Sequence, residues 1–237
     1  MRPTNRAASA RPNRRDGVAA RRAAIVRPEP TYPDLSGRQI LAILSGLLAA
    51  MFVSVLSMTI LTTALPRISA ALNASESSYT WVIIASMLTM TASTPIWGKL
   101  ADRLDRKMLM QLSLGLYAVA SMAAGLSQSM TMLITARVFQ GIGTGGIMSL
   151  SQIIMGSIIP PRERGRYGGY MGATFACANV LGPLIGGLIV ETPLLGWRGC
   201  FYVGLPFIAL AFALIQRTLR LSHAPHKVPI DLGGGLL

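Results

Sequence analysis

An apolar run occupies about Gln39 to Leu65, and further runs lie at about Tyr79–Trp97, Met108–Leu126, Met130–Ile159, Tyr167–Val190 and Cys200–Gln216. Each is bounded by charge, proline or glycine, and each is close to the roughly 20 residues that a helix needs to cross a hydrocarbon layer about 30 Å thick. Six such segments cannot surround one water-excluded core. With 51% hydrophobic and 13% charged residues, the chain is far from a soluble domain, in which about a quarter of the residues are charged. Lipid offers the backbone no hydrogen bonds, so the runs are expected to be six transmembrane helices of an all-α, multi-pass membrane protein.

The net charge of +13 raises a second class, nucleic-acid binding, and the placement of the 22 Lys and Arg residues decides against it. Residues 1–37 together with Arg38 hold nine, the gap 98–107 four, the gap 160–166 three, and the segment after Gln216 three. The intervening gaps hold only Arg67 and Arg198. Short cytoplasmic loops retain Lys and Arg, so this alternation puts both termini and the gap 98–107 in the cytoplasm, at a cell (inner) membrane. No stacking aromatics accompany the arginines of the tail, which leaves no nucleic-acid partner. Residues 1–37, with five prolines and almost no apolar clustering, are expected to be a disordered basic tail. Residues 38–219 are the transmembrane unit, and 220–237 a cytoplasmic linker with the start of a seventh span cut short at Leu237.

GKLADRLDRK, Gly98 to Lys107, packs six charges between two apolar runs. It resembles the loop motif between helices two and three of the major facilitator superfamily. LTTALPRI (61–68) resembles the end of helix one in that family's fourteen-helix drug–proton antiporter branch, and RVFQGIGTGG (137–146) its helix-four motif. NVLGPLIGGLI (179–189) resembles the G-P-x-x-G-G antiporter motif of helix five, and GWRGCFYVGLP (196–206) the entry to helix six. The resemblance implies inverted three-helix repeats forming one six-helix half, here the N-terminal one. A missing C-terminal half would complete a central cavity that works by alternating access. It implies efflux of drugs or other small hydrophobic or amphiphilic molecules, with protons as the candidate coupling ion. A metabolite transporter without proton coupling, and a non-transporting membrane assembly module, are the alternatives.

The residues give each motif a physical meaning. Gly98 permits a close backbone approach, and Asp102 suits a helix N-terminus, whose free N–H groups favour negative charge. In the family the matching aspartate is thought to contact the opposite half. Arg106 is positioned by sequence to pair with Glu163 across the two basic gaps, so Gly98, Asp102, Arg103, Arg106, Lys107 and Glu163 form a candidate conformational latch. Asp105 stands where the family motif has its second glycine, and Asp tolerates the left-handed backbone better than most residues. Arg137 is the one ionisable residue well inside a run, which by default marks a functional site; with Gln140 one turn on, it either faces the cavity for coupling or substrate, or snorkels to the outer interface.

Pro183 removes one backbone donor and is expected to kink helix five. Gly182, Gly186 and Gly187 of the antiporter motif, with Gly168, Gly169 and Gly172 on the same helix, offer small-residue surfaces either for rocking or for plain packing, whereas Gly141 and Gly145 suit packing. Helix one reads LSMTILTTALP, with Ser57 where the antiporter branch commonly carries an acid. Ser54, Ser57 and Thr62 are candidate cavity lining, with back-bonding to their own helix as the alternative. Cys177 and Cys200 lie at different depths and are expected to be free thiols. His223 and His226 make a poor metal site, and no cofactor, metal or enzymatic constellation is evident.

Overall fold

The computed structural model describes residues 36–192 and 196–219. The expected basic tail and the segment 220–237, with His223 and His226, lie outside the described residues. Six long helical segments follow one another: α1 (Gly37–Ala71), α2 (Glu76–Ala101), α3 (Arg106–Gly125), α4 (Met130–Ile158), α5 (Arg164–Glu191), and a last span built from a 3₁₀ turn (Gly196–Arg198), α6 (Gly199–Tyr202) and α7 (Gly204–Thr218). Five of them are long and apolar enough to cross a membrane. The sixth, α2, has the length at 26 residues, but Thr80, Ser86, Thr89, Thr91, Ser93 and Thr94 dilute its apolarity. Several of those hydroxyls are satisfied inside their own helix: Thr89, Thr91 and Thr94 donate to the carbonyls of Ala85, Met87 and Met90 at 2.8, 2.9 and 2.8 Å.

Caps fix where the helices start. Ser36 and Gln39 form a reciprocal capping box, with Ser36 N–H donating to Gln39 Oε1 at 2.8 Å. Ser75 and Ser129 cap α2 and α4 through Ser78 N–H and Met132 N–H. Pro66 and Arg67, expected in a loop, lie inside α1, which runs on to Ala71. The 35-residue helix is about 50 Å long at 1.5 Å per residue, so it overshoots the hydrocarbon layer. Its turn into α2 is made at Asn73, which takes the left-handed conformation at φ 48°. In the last span the helix is interrupted near Val203, because Pro206 has no N–H to give the carbonyl of Tyr202.

The packing exchanges partners between the two sequence triplets. α1 lies chiefly against α5 and α7, whereas α4 lies chiefly against α2 and α3. The first helix of each triplet therefore packs on the second and third helices of the other, as an inverted three-helix repeat requires. Small residues set these approaches. A side-chain carbon placed at Gly141 or Gly145 would run into the carbonyl regions of Ser86 or Met90 on α2; one at Gly143 would stand 2.8 Å from Tyr117 N and 3.0 Å from Ser113 O on α3. At Gly146 it would stand 2.6 Å from Ser113 Cβ and 2.7 Å from Trp97 Cε2. α4 is thus bare on both flanks, and Trp97 Nε1–H spans the α2 contact to donate to Ile142 O at 2.9 Å.

Gly143→Ala is expected to lower stability by about 1–3 kcal/mol through overpacking against a backbone that cannot yield. Gly115→Ala, at a helical position with no heavy atom within 4 Å, should leave the melting temperature in detergent unchanged or raise it.

Candidate functional site

Arg137 is 3% exposed and Gln140 1%, and Arg137 is the one buried charge among the described residues. One helical turn separates them on α4, and Arg137 Nη1 donates to Gln140 Oε1 at 2.6 Å while Nε reaches Val82 O on α2 at 3.5 Å. Gln140 Nε2 points on to Ser121 Oγ on α3 at 3.5 Å, and Ser121 in turn donates to Phe201 O in α6 at 2.7 Å. A chain of polar groups therefore crosses from α2 through α4 and α3 to α6. Arg137 does not extend to an exposed interface; its charge is solvated by carbonyl and amide oxygens instead of by a carboxylate.

Beside this chain lies a second bond that sequence reasoning missed. Tyr117, buried on α3, donates from its hydroxyl to Ser57 Oγ on α1 at 2.6 Å. Ser57, a candidate for cavity lining, is half-buried and held in this helix-to-helix hydrogen bond. Ser113, Tyr117 and Ser121 recur every four residues on α3, a polar stripe whose signal was present in the sequence. Of the other expected lining residues, Ser54 is buried and bonds back to Ala50 O at 2.9 Å, and Thr62 is exposed and bonds back to Thr59 O at 2.7 Å.

The glycines of α5 divide into two sets. Gly182 and Gly186 are buried against α1, facing Thr59 and the Ile60 backbone, with Ile60 O 3.1 Å from a side-chain carbon placed at Gly186. Thr59 Oγ1 reaches across to Ala178 O at 3.3 Å, which ties the two helices at the crossing. Gly168, Gly169, Gly172 and Gly187 meet nothing within 4 Å, and Pro183 is exposed within the continuous helix.

The loop 98–107 differs from its sequence reading in three respects. The acid that caps α3 is Asp105, whose Oδ1 accepts from Lys107 N at 2.6 Å and from Met108 N at 3.4 Å. Its backbone is extended, φ −61° and ψ 120°, so the left-handed turn expected there is replaced by an ordinary N-cap. Asp102 ends α2 and is exposed, with no side-chain bond among the described residues, as is Arg103. Arg106 and Glu163 do not pair, because α3 packs on α4 and α7 whereas Glu163 stands exposed at the start of α5. Arg106 Nε is buried without a hydrogen-bond partner among the described residues.

Lys107 has the partner that the sequence did not suggest: Nζ donates to Gln216 O in the last turn of α7 at 2.8 Å, while Gln111 Nε2 donates to Gln216 Oε1. At Gly98 a side-chain carbon would find only Ser149 Oγ, at 3.9 Å, so nothing among the described residues requires a glycine there. Cys177 and Cys200 are free thiols, the first exposed and the second buried.

The Major Facilitator Superfamily model matches residues 47–235. The chain is 46% identical over 187 residues to a protein named efflux pump dotC from Dothistroma septosporum, covering 79% of this chain and 31% of that one. It is 38% identical over 192 residues to the multidrug transporter protein MdtP of Bacillus subtilis, covering 81% of this chain and 35% of that one. It therefore spans about a third of the length of these curated relatives. Among solved structures it resembles a proton:xylose symporter, with a TM-score of 0.66 at 13% identity over 81% of this chain and 46% of that one. It also resembles a human organic anion transporter, with a TM-score of 0.57 at 21% identity over 74% of this chain and 46% of that one. At such identities the two structures speak for the fold alone.

Replacing Asp105 by Ala is expected to cost about 0.5–2 kcal/mol of stability, as for other lost N-caps, whereas Asp102→Ala should leave the melting temperature where it was. A double-mutant cycle with Tyr117→Phe and Ser57→Ala should return a coupling of about 0.5–1.5 kcal/mol in detergent unfolding, and strict additivity would mean that the bond contributes nothing.

Proposed function

Because the chain belongs to the major facilitator superfamily, we propose that it is the N-terminal half of a membrane transporter that expels drugs or other small hydrophobic or amphiphilic molecules by alternating access. The observation that carries this reading is its 46% identity, over 79% of the chain, to a protein named an efflux pump. The fourteen-helix antiporter branch and proton coupling are the finer part of the proposal, supported by the G-P-x-x-G-G stretch at Gly182–Gly187. In this reading Gly182 and Gly186 are the pivot on α1, while Pro183 and Gly187 face the missing half. Asp102, Arg103 and Gly98 are the outward parts of the latch and await a surface on that half; Lys107 holds the loop to α7, and Arg106 and Glu163 stand on either side of the cytoplasmic opening.

A second reading, metabolite transport without proton coupling, is favoured by one feature. Ser57 occupies the place of the helix-one acid and is engaged by Tyr117, and Arg137 is the one charge buried among the described residues, so the described spans carry no buried carboxylate to bind a proton. Proton coupling then depends on Arg137 acting on bound substrate, or on a carboxylate in the other half.

The two readings separate in proteoliposomes containing the complete transporter. Addition of substrate to an antiporter should release protons, seen with a trapped pH dye, whereas transport with no proton signal selects the second reading. Arg137→Ala is expected to reduce transport about tenfold, within the range of coupling energies between linked sites, without loss of insertion. Unchanged transport and unchanged pH dependence would remove Arg137 from the mechanism. Intact-mass measurement of the native membrane protein tests whether the reading frame continues into a second half.

A further inference from the structure

A groove of about 390 Å³ opens between α5 and α7, with α1 between them. α1 packs extensively on both helices, while α5 and α7 have little contact of their own, so the groove is a gap between spans and not a hole within the bundle. Leu48 and Phe52 of α1, Tyr170, Thr174 and Cys177 of α5, and Phe207 of α7 line it. Phe52 and Phe207 meet edge to face at 6.5 Å, which leaves a wall of aromatic and aliphatic carbon at membrane depth.

Each of the three walls ends in an arginine at the same end of the bundle. On α5, Arg166, Tyr170, Thr174 and Cys177 follow one helical stripe, with Arg166 one turn before Tyr170. On α1 the stripe from Phe52 through Leu48, Ser45 and Leu41 ends at Arg38, which is exposed. On α7 the stripe from Phe207 through Leu210 and Leu214 ends at Arg217, also exposed. α1 and α5 begin at this end and α7 finishes there. Arg164 is turned away onto Gly156 O and Ile159 O at 2.8 and 3.2 Å, and among the described residues Glu163 is the acid beside Arg166. The mouth therefore keeps an excess of positive charge over an apolar slot.

We infer that this groove is a binding site for an anionic phospholipid, with an acyl chain between α5 and α7 and the phosphate against Arg166, Arg38 and Arg217. Charge complementarity selects this occupant: a guanidinium donates paired hydrogen bonds to two phosphate oxygens, and an anionic lipid is held about fivefold more tightly for each basic residue near the membrane surface. A lipid in this position fills the gap that the weak α5–α7 contact leaves, and it does so independently of what the protein transports.

The full chain, purified in detergent and mixed with equal amounts of phosphatidylglycerol and phosphatidylcholine, should retain phosphatidylglycerol in native mass spectra. Arg166→Gln should lower that retention about fivefold, and Arg38→Gln with Arg166→Gln about twentyfold, with the melting temperature in lipid-free detergent unchanged. Cys177→Trp, which fills the slot, should reduce retention while leaving the arginines in place. A phosphatidylglycerol carrying a diazirine in its acyl chain should mark peptides of α5 and α7 around Cys177 and Phe207. Equal retention of the two lipids, retention unaffected by the arginine substitutions, or labelling spread evenly over the other spans would overturn the assignment.

Discussion

The contact on which the rest of this half depends is the one that α4 makes through Gly141, Gly143, Gly145 and Gly146. Between helices in lipid there is no hydrophobic driving force, and association rests on close packing and on the few polar groups that packing brings together. Four glycines bare both flanks of α4, so the α2 and α3 backbones come within distances that any side chain would forbid. That closeness places Trp97 over the carbonyl of Ile142 and seats Tyr117 beside Gly143. It also lets Arg137 and Gln140 reach oxygen atoms on two neighbouring helices at once. The buried guanidinium is tolerated because the glycines have already brought its solvation shell to it.

The sequence is explicit about such features where one residue type has one physical use. Apolar length located the six segments, the glycine spacing of α4 announced close packing, and the lone intramembrane arginine stood out by its cost. Partner identity was far less legible. Lys107 and Gln216 are 109 positions apart, and nothing in either residue names the other. Tyr117 and Ser57 are 60 apart, and the packing of α1, which lies chiefly on α5 and α7, gives no hint of a bond to α3. Asp105 and Asp102 illustrate the local limit: two acids three residues apart compete for one N-cap, and the winner is decided by where α2 stops, which turns on a single turn of helix. Pro66 lies inside α1, beyond the apolar run that ends at Leu65, since a helix in lipid continues through a proline more readily than it exposes its backbone.

The basic residues of the loops serve two ends. Their distribution is what orients a chain in a membrane, yet three of them are also bonded to helix termini. Lys107 donates to Gln216 O in the last turn of α7, Arg164 to Gly156 O and Ile159 O at the end of α4, and Arg198 to Ser127 O just beyond α3 at 3.1 Å while lying 4.6 Å over the Trp197 ring. Carbonyls at a helix C-terminus lack intrahelical partners and carry the negative end of the dipole, so a cation there satisfies both. A charge count that explains topology is therefore compatible with individual charges being structural.

The exchange of partners between triplets has a consequence for how the protein is made. α1 leaves the ribosome before the glycines it needs on α5 and the face of α7 that covers Gly46 have been synthesised. At roughly 5–20 residues per second, on the order of ten seconds pass before they emerge. During that interval Ser54, Ser57 and Thr59 must wait in the bilayer or in the insertion machinery with only their own helix to bond to, and the back-bonds of Ser54 and Thr59 to Ala50 and Leu56 at 2.9 Å supply that temporary shelter. Ser57, whose partner Tyr117 arrives sooner, is then the first point at which the nascent chain can register that α1 and α3 have met.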